Sequence, residues 1–126
     1  MDEQFYIKIE NWISNLSDDN TFTDEIVAIN FGLFESEEGF MIHCIGSKIY
    51  DQENDDWACN EDFVPQKKYL KIPKELTENK DWYEIQNMFG ELFKKYLSSL
   101  DYEFSLLNKV EAITYGFDDG DLQKIK

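Results

Sequence analysis

Three residues carry the side chains most often used for nucleophilic catalysis: His43, the only histidine, and Cys44 and Cys59, the only cysteines. A Cys–His pair requires the two side chains to converge. His43 and Cys44 are adjacent in a segment with the pattern of a β-strand, where neighbouring side chains point to opposite faces, so they cannot form such a pair. Nothing in the sequence brings Cys59 toward His43. We expect an ordinary histidine in the sheet, a buried Cys44 and no catalytic residue.

One window partly imitates a calcium-binding EF-hand loop. Asp51, Glu53, Asp55 and Asp62 occupy its positions one, three, five and twelve. The position that requires glycine is Asp56, an aspartate replaces the usual bidentate glutamate, and the flanks predict strands instead of helices. We interpret the window as a solvated acidic loop. The sequence also lacks GxSxG, HExxH, P-loop and GxGxxG motifs, so we expect no metal and no cofactor.

The charge balance is unusual. Twelve basic residues stand against 27 acidic ones, which gives a net charge of −15. Such a field repels nucleic-acid phosphates and anionic membrane surfaces, and it attracts basic proteins. We therefore expect a protein partner with a cationic surface, and neither direct nucleic-acid binding nor membrane binding. The alternative interpretation is that the acidity serves only solubility.

Three acidic segments are candidate contact surfaces: a hairpin tip, a long loop over 51–63 and a turn over 118–121. In the loop, Trp57 and Phe63 could anchor an interface, because aromatic rings ringed by polar contacts are typical hot spots. The alternative for each ring is burial beneath the loop. The predicted contact residues are Glu35, Glu37, Glu38, Asp51, Glu53, Asp55, Asp56, Trp57, Glu61, Asp62, Phe63, Asp118, Asp119 and Asp121.

Hydrophobic periodicity predicts the elements that position these residues. Apolar residues at spacings of three and four predict two helices, and alternating or β-branched segments predict strands. Gly32 and Gly46 lie inside two of those strands, where a bulge or a close backbone approach is the usual reason for glycine. The predicted helices are 3–16 and 80–101, and the predicted strands are 25–34, 40–50, 69–72, 109–117 and 122–125. The stripe of the second helix comprises Trp82, Ile85, Phe89, Leu92, Phe93, Tyr96, Leu97 and Leu100.

This order predicts an α+β fold with a single domain over 1–126. We expect a two-layer sandwich: a mainly antiparallel sheet of four or five strands, with two helices on one face, in the order α-β-β-β-α-β. No run of about 18 apolar residues occurs, and the N-terminal segment lacks the basic and apolar regions of a signal peptide. These features predict a cytoplasmic protein with free thiols.

Four segments together resemble the bacterial immunity proteins of polymorphic and contact-dependent growth inhibition toxin systems. They are FGLF at 31–34, IGS at 45–47, NDDWACNEDF at 54–63 and GFDDGDL at 116–122, and the similarity extends over about 26–123. The resemblance implies a non-catalytic cytosolic inhibitor that binds a toxin domain, often a basic nuclease. It assigns no individual contact residues.

Two other classes of function remain open from the sequence. One is an acidic cytosolic regulatory or scaffold domain, or a mimic of the charge of DNA. The other is a small enzyme or calcium-binding domain. The sequence does not indicate the oligomeric state.

Overall fold

A computed structural model describes residues 3–126 and shows an α+β fold with the predicted order of elements. Three helices and a five-stranded sheet form its framework, and three short 3₁₀ helices lie in the connections. The helices are α1 (Glu3–Ser17), α2 (Trp82–Leu97) and α3 (Leu100–Glu103). The strands are β1 (Ala28–Ser36), β2 (Gly39–Ser47), β3 (Tyr69–Lys71), β4 (Ala112–Phe117) and β5 (Gln123–Lys124). The 3₁₀ helices are Asp55–Cys59, Lys74–Leu76 and Leu106–Lys109.

The sheet has the strand order β3-β2-β1-β4-β5, so β1 is its central strand. The pairs β1–β2, β2–β3 and β4–β5 are antiparallel, as expected for hairpins and short connections. The pair β1–β4 is parallel, because α2 and its connections carry the chain back to the starting end of the sheet. At the middle of the sheet, Gly32 lies opposite both His43 on β2 and Gly116 on β4.

The main core lies between one face of the sheet and the helices α1 and α2. Phe31 of β1 stacks on Phe93 of α2 with ring centroids 4.5 Å apart, and it contacts the edge of Trp12 of α1 at 5.6 Å. Both helices therefore cover the same face of the sheet. The apolar stripes of the two helices provide nearly half of this core, as their periodicity predicted.

The opposite face of the sheet is covered in part by the loop that carries the 3₁₀ helix Asp55–Cys59. There Trp57 packs on Ala28 and Ala112, two small residues on adjacent strands. Next to them, the buried Thr114 hydroxyl donates a 2.9 Å hydrogen bond to the Asn30 side chain. Small residues under the ring allow the loop to lie close to the sheet.

The second helix is shorter than predicted at both ends. Asp81 is its N-cap and accepts a 2.9 Å hydrogen bond from the Glu84 N–H. At the other end, the Ser99 hydroxyl donates to the Tyr96 carbonyl at 2.6 Å and competes with the helical pattern. The chain turns there, so Leu100 is 79% exposed and does not belong to the buried stripe.

Candidate functional site

An open cleft of about 990 Å³ lies at the carboxyl ends of the parallel strands β1 and β4. Three parts of the fold form its walls: the first turn of α2, the ends of β1 and β2 near their hairpin, and the turn over 118–121. Its lining combines aromatic rings, carboxylates and two glutamine side chains. The cleft therefore offers both apolar and negatively charged surface.

The aromatic wall consists of rings packed edge to face. Trp82 contacts Tyr83 with centroids 5.7 Å apart and Phe117 at 6.4 Å, and Phe117 contacts Phe40 at 6.0 Å. Trp82 is 60% exposed and Tyr83 is 57% exposed. Trp82 had been predicted to lie in the core, but it occupies the first position of α2 and meets Phe117, the last residue of β4, where the sheet ends. Much of its ring therefore faces the cleft.

The acidic wall consists of Glu35 at the end of β1 and of Asp118, Asp119 and Asp121 in the turn after β4. All four are exposed. Within residues 3–126, no ion pair forms with Glu35, Asp119 or Asp121, and no lysine or arginine lines the cleft. The negative charge on this side of the cleft is not neutralised by the described part of the chain.

Three hydrogen bonds donated by backbone N–H groups shape the acidic turn. The Asp118 N–H donates to the Leu33 carbonyl at 3.0 Å and continues the parallel ladder beyond β4. The Gly120 N–H donates to the Phe117 carbonyl at 3.0 Å and closes a tight turn. The Leu122 N–H donates to Asp55 Oδ2 at 3.2 Å, which connects the turn to the long acidic loop.

A side-chain contact holds the same turn from the other face of the sheet. His43 Nε2 lies 2.8 Å from Asp118 Oδ1, and the contact passes over Gly32. A Cβ atom on Gly32 would collide with both groups. Glycine is therefore required here for the close approach of the two side chains, which is one of the two predicted reasons for a glycine inside this strand. Within the described residues, His43 Nδ1 is buried without a hydrogen-bond partner. Among the described residues, no hydrogen bond joins His43 to a serine, threonine or cysteine.

Gln86 lies at the buried side of the cleft, one turn after Trp82 on α2. The residue is only 6% exposed, yet it lines the cleft. No hydrogen bond from another residue of 3–126 reaches its side-chain amide. Its amide atoms are not fully enclosed, since His43 Nδ1 is the only buried side-chain N or O atom without a partner in residues 3–126, so the amide can bind a group or water in the cleft.

The two aromatic residues predicted as contacts are buried. Trp57 is 4% exposed and packs on Tyr50 with centroids 5.2 Å apart. Phe63 is 1% exposed, because two backbone hydrogen bonds of 2.9 and 3.0 Å pair it with Gly46 and direct its ring into the core. Burial beneath the loop is the predicted alternative to an interface role for each ring. Neither can act as an exposed anchor, and both leave the set of candidate contacts.

The twelve acidic residues predicted as contacts are all exposed, but the fold does not gather them on one surface. Those that line the cleft are Glu35, Asp118, Asp119 and Asp121. Those that line a smaller hollow of about 300 Å³ beside Trp57 are Asp51, Glu53 and Asp55. The others are Glu37, Glu38, Asp56, Glu61 and Asp62.

Three of these other acids have partners of their own. Glu38 lies 3.9 Å from Lys71 Nζ, and Glu61 lies 3.5 Å from Lys68 Nζ. Asp62 accepts a 2.8 Å hydrogen bond from the Lys48 N–H. Both ion pairs are at the surface, where such pairs contribute little to stability.

Sequence reasoning did not identify the aromatic wall or Gln86 as parts of a site. Two signals were present. Trp82 and Tyr83 are adjacent, and residues one apart on a helix are rotated by about 100°, so both cannot face the core. Gln86 follows Ile85 on the apolar side of the helix, where a polar residue is unusual without a partner.

The thiols and acids do not form a metal or redox centre in the described chain. Cys44 and Cys59 are both free, and burial raises the pKa of the Cys44 thiol. Among residues 3–126, no three His, Cys, Asp or Glu side chains converge in a way that could hold a metal ion. Cys44 faces the core and His43 faces the other side of the sheet, as the strand alternation predicted.

No helix within residues 3–126 combines the length and the apolar character needed to cross a bilayer. Comparisons of the chain with protein-family models, with curated proteins and with solved structures find no match. Function is therefore inferred from the geometry of the cleft and from the charge of the chain.

Proposed function

We propose that this chain is a non-catalytic inhibitor that binds and neutralises a basic bacterial toxin domain, as immunity proteins do. The observation that carries the proposal is the cleft at the ends of β1 and β4. It displays two exposed aromatic rings, Trp82 and Tyr83, beside three carboxylates without a cationic partner in residues 3–126, those of Glu35, Asp119 and Asp121. Exposed aromatic rings next to unneutralised charge are typical of a surface that binds another protein.

The charge of the chain supports a basic partner. A net charge of −15 steers a cationic protein toward the surface and repels an anionic one. A toxin that acts on nucleic acid needs a cationic groove for phosphates. Occupation of that groove by the acidic turn over 118–121 would exclude the substrate, so inhibition requires no chemistry from this chain.

Binding is favoured over catalysis by the surroundings of His43. Its Asp118 partner and its strand position are those of a histidine that orients a loop. No serine, threonine or cysteine within residues 3–126 hydrogen-bonds to the ring. The resemblance of segments 31–34, 45–47, 54–63 and 116–122 to immunity proteins supports the toxin class of partner and action in the cytoplasm.

Co-expression tests this function. The product of the gene directly upstream is expressed in bacteria from an inducible promoter, with and without this chain. We expect that product to arrest growth alone, growth to be restored by this chain, and the two proteins to co-purify as a stable complex. A product that does not arrest growth, or an arrest that this chain does not relieve, would contradict the proposal.

The same experiment distinguishes the proposed function from its main alternative. A regulatory or DNA-mimicking domain would instead bind a cytosolic DNA-binding protein that is not toxic. In that case, this chain would displace DNA from its partner and would have no effect on the growth arrest.

A further inference from the structure

We propose that the cleft accepts the side chain of an arginine carried on a protruding segment of the partner protein. The guanidinium would stack on Trp82 and hydrogen-bond to the carboxylates of the 118–121 turn. This inference rests on the proposed function only in assuming that the partner is a basic protein.

The exposed ring of Trp82 provides the stacking surface. Tyr83 and Phe117 pack against it at centroid distances of 5.7 and 6.4 Å, with interplanar angles of 89° and 86°. These contacts support the ring while 60% of the residue remains exposed. Tryptophan is the best aromatic partner for a cation, and a planar guanidinium can also stack on it.

The polar groups of the cleft are acceptors placed near that ring. Asp119, Asp121 and Glu35 lack ion-pair partners among the described residues, and a carboxylate can accept two parallel N–H groups from a guanidinium. Gln86 adds a side-chain amide that lines the cleft and has no hydrogen-bond partner in residues 3–126, although the residue as a whole is only 6% exposed. Its carbonyl oxygen can accept another guanidinium N–H. The unsatisfied amide is independent of the acidic cluster and points to the same kind of ligand.

The shape of the cleft favours a segment of a protein. A volume of about 990 Å³ is at the upper end of the range of roughly 300–1,000 Å³ for sites that hold a whole small ligand. A single arginine side chain would not fill it, and the flanking residues of a loop or helix end would occupy the rest. Lysine offers no planar group to stack, and a quaternary ammonium offers no N–H for the carboxylates.

A peptide titration tests this assignment on the intact chain. The probe is the tripeptide acetyl-Gly-Arg-Gly-amide, followed by the indole N–H signals and backbone amide signals in NMR spectra. Trp12 and Trp57 are buried, so the signal of Trp82 is the one that a surface ligand can reach directly. We expect saturable shifts of the Trp82 indole and of the amides over 117–122, with a Kd on the order of 1–10 mM for one arginine.

Matched probes test whether the charge and the planar N–H groups of arginine are both needed for binding. The citrulline tripeptide has the same shape without the charge, and we expect it to bind at least fivefold more weakly. The lysine tripeptide and tetramethylammonium are each expected to bind about threefold more weakly or worse, because neither combines stacking with paired hydrogen bonds. Equal shifts with citrulline would overturn the assignment, and tighter binding of tetramethylammonium would indicate a small-molecule site instead.

Variants localise the effect. Trp82→Ala should weaken binding of the arginine peptide about three- to fivefold, and Asp119→Asn with Asp121→Asn should weaken it similarly. Trp82→Phe should retain part of the affinity. The controls are Phe104→Ala, an 83% exposed ring outside the cleft, and Asp24→Asn, an exposed acid outside it, which should leave the affinity unchanged.

The affinity of the same variants for the upstream gene product is measured as well. There Trp82→Ala should weaken affinity about 30-fold or more, as expected for a central aromatic anchor. A complex unaffected by Trp82→Ala would overturn the cleft assignment and leave the inhibitor function intact. Binding of the arginine peptide in the cleft, with no neutralisation of the upstream gene product, would support the assignment and refute the proposed function.

Discussion

His43 reaches across Gly32 to Asp118, with Nε2 2.8 Å from Oδ1. His43 belongs to β2 and Asp118 directly follows β4, the strands on opposite sides of β1, and the absence of a side chain at Gly32 allows the two residues to meet. Asp118 also begins the turn that forms the acidic wall of the cleft. One contact on the face of the sheet opposite the helices therefore helps to fix the carboxylates that line the cleft.

We expect Gly32→Ala to destabilise the protein by about 1–3 kcal/mol, because its Cβ would collide with the His43 ring and the Asp118 carboxylate. Urea unfolding measures the change. Gly120→Ala is the matched control, since a Cβ there comes no closer than 3.7 Å to the nearest neighbour, the Phe117 carbonyl. Equal stability of the two variants would show that the His43–Asp118 contact does not require Gly32.

Truncation of two tryptophans should change stability to very different extents. Trp57→Ala removes a buried ring and should lower the free energy of unfolding by about 3–5 kcal/mol. Trp82→Ala removes a largely exposed ring and should lower it by less than about 1 kcal/mol. Thermal and urea unfolding check both values. A large loss of stability at Trp82 would mean that its ring serves the fold and not a partner.

Gln86→Met should keep or raise stability by up to about 1 kcal/mol. The residue is only 6% exposed, and its amide has no hydrogen-bond partner among residues 3–126, so an apolar side chain of similar length fills the same space without breaking a hydrogen bond. The same substitution should weaken the complex with the partner protein. Unfolding and binding measurements on the same variant are needed. A clear loss of stability would indicate that the amide has a structural partner.

The pH dependence of stability should include a contribution from Asp19. The Thr21 hydroxyl donates to its carboxylate at 2.6 Å, and the Gln66 N–H at 2.8 Å. These bonds lower the pKa of Asp19 against a smaller opposing effect of burial. Since the folded pKa lies below the unfolded one, the stabilisation is present above the unfolded pKa of about 4 and is lost as pH falls through the folded pKa.

Asp19→Asn removes this ionisable group and should lower stability by about 1 kcal/mol at pH 7. The difference from the wild-type protein should shrink as pH falls below about 4. Urea unfolding between pH 7 and pH 3 measures it. Asp18→Asn, at the exposed neighbouring position, is the matched control for the loss of one surface charge. A constant difference at all pH values would contradict the assignment.

The association rate with the partner protein should fall steeply with added salt. Steering by a net charge of −15 operates over about 10 Å at 0.1 M salt and less at higher concentration. Stopped-flow mixing with the upstream gene product between 0.05 and 0.5 M salt, a range in which screening changes by about threefold, measures the effect. A rate independent of salt would contradict electrostatic recognition even if inhibition were confirmed.

Most of the fold could be predicted from the sequence, because local patterns determine it. The apolar stripe of α1 and the alternating apolar residues around Gly32 predicted these elements and the faces that they bury. The parallel pairing of β1 with β4 could not be predicted, since it depends on how α2 returns the chain. The end of α2 was also missed, because the Ser99 hydroxyl competes with the helical hydrogen bonds.

The binding site was less predictable than the fold. The sequence predicted the acidic turn over 118–121 as one contact surface, and it associated the acids of the 51–63 loop with Trp57, which is buried on Ala28 and Ala112. Whether an aromatic residue is buried depends on the surface it meets in the folded chain. The spacing of Trp82 matches the buried stripe of α2. Its ring is exposed because it lies beside Phe117, where β4 ends.

The cleft between Trp82 and the 118–121 turn is tested most directly by hydrogen–deuterium exchange of this chain, free and in complex with the upstream gene product. We expect new protection of the amides over 82–86 and 117–122, with the amides of α1 unchanged. Protection confined to 98–108, around the exposed Leu100 and Phe104, would place the partner on another surface and contradict the assignment of the cleft.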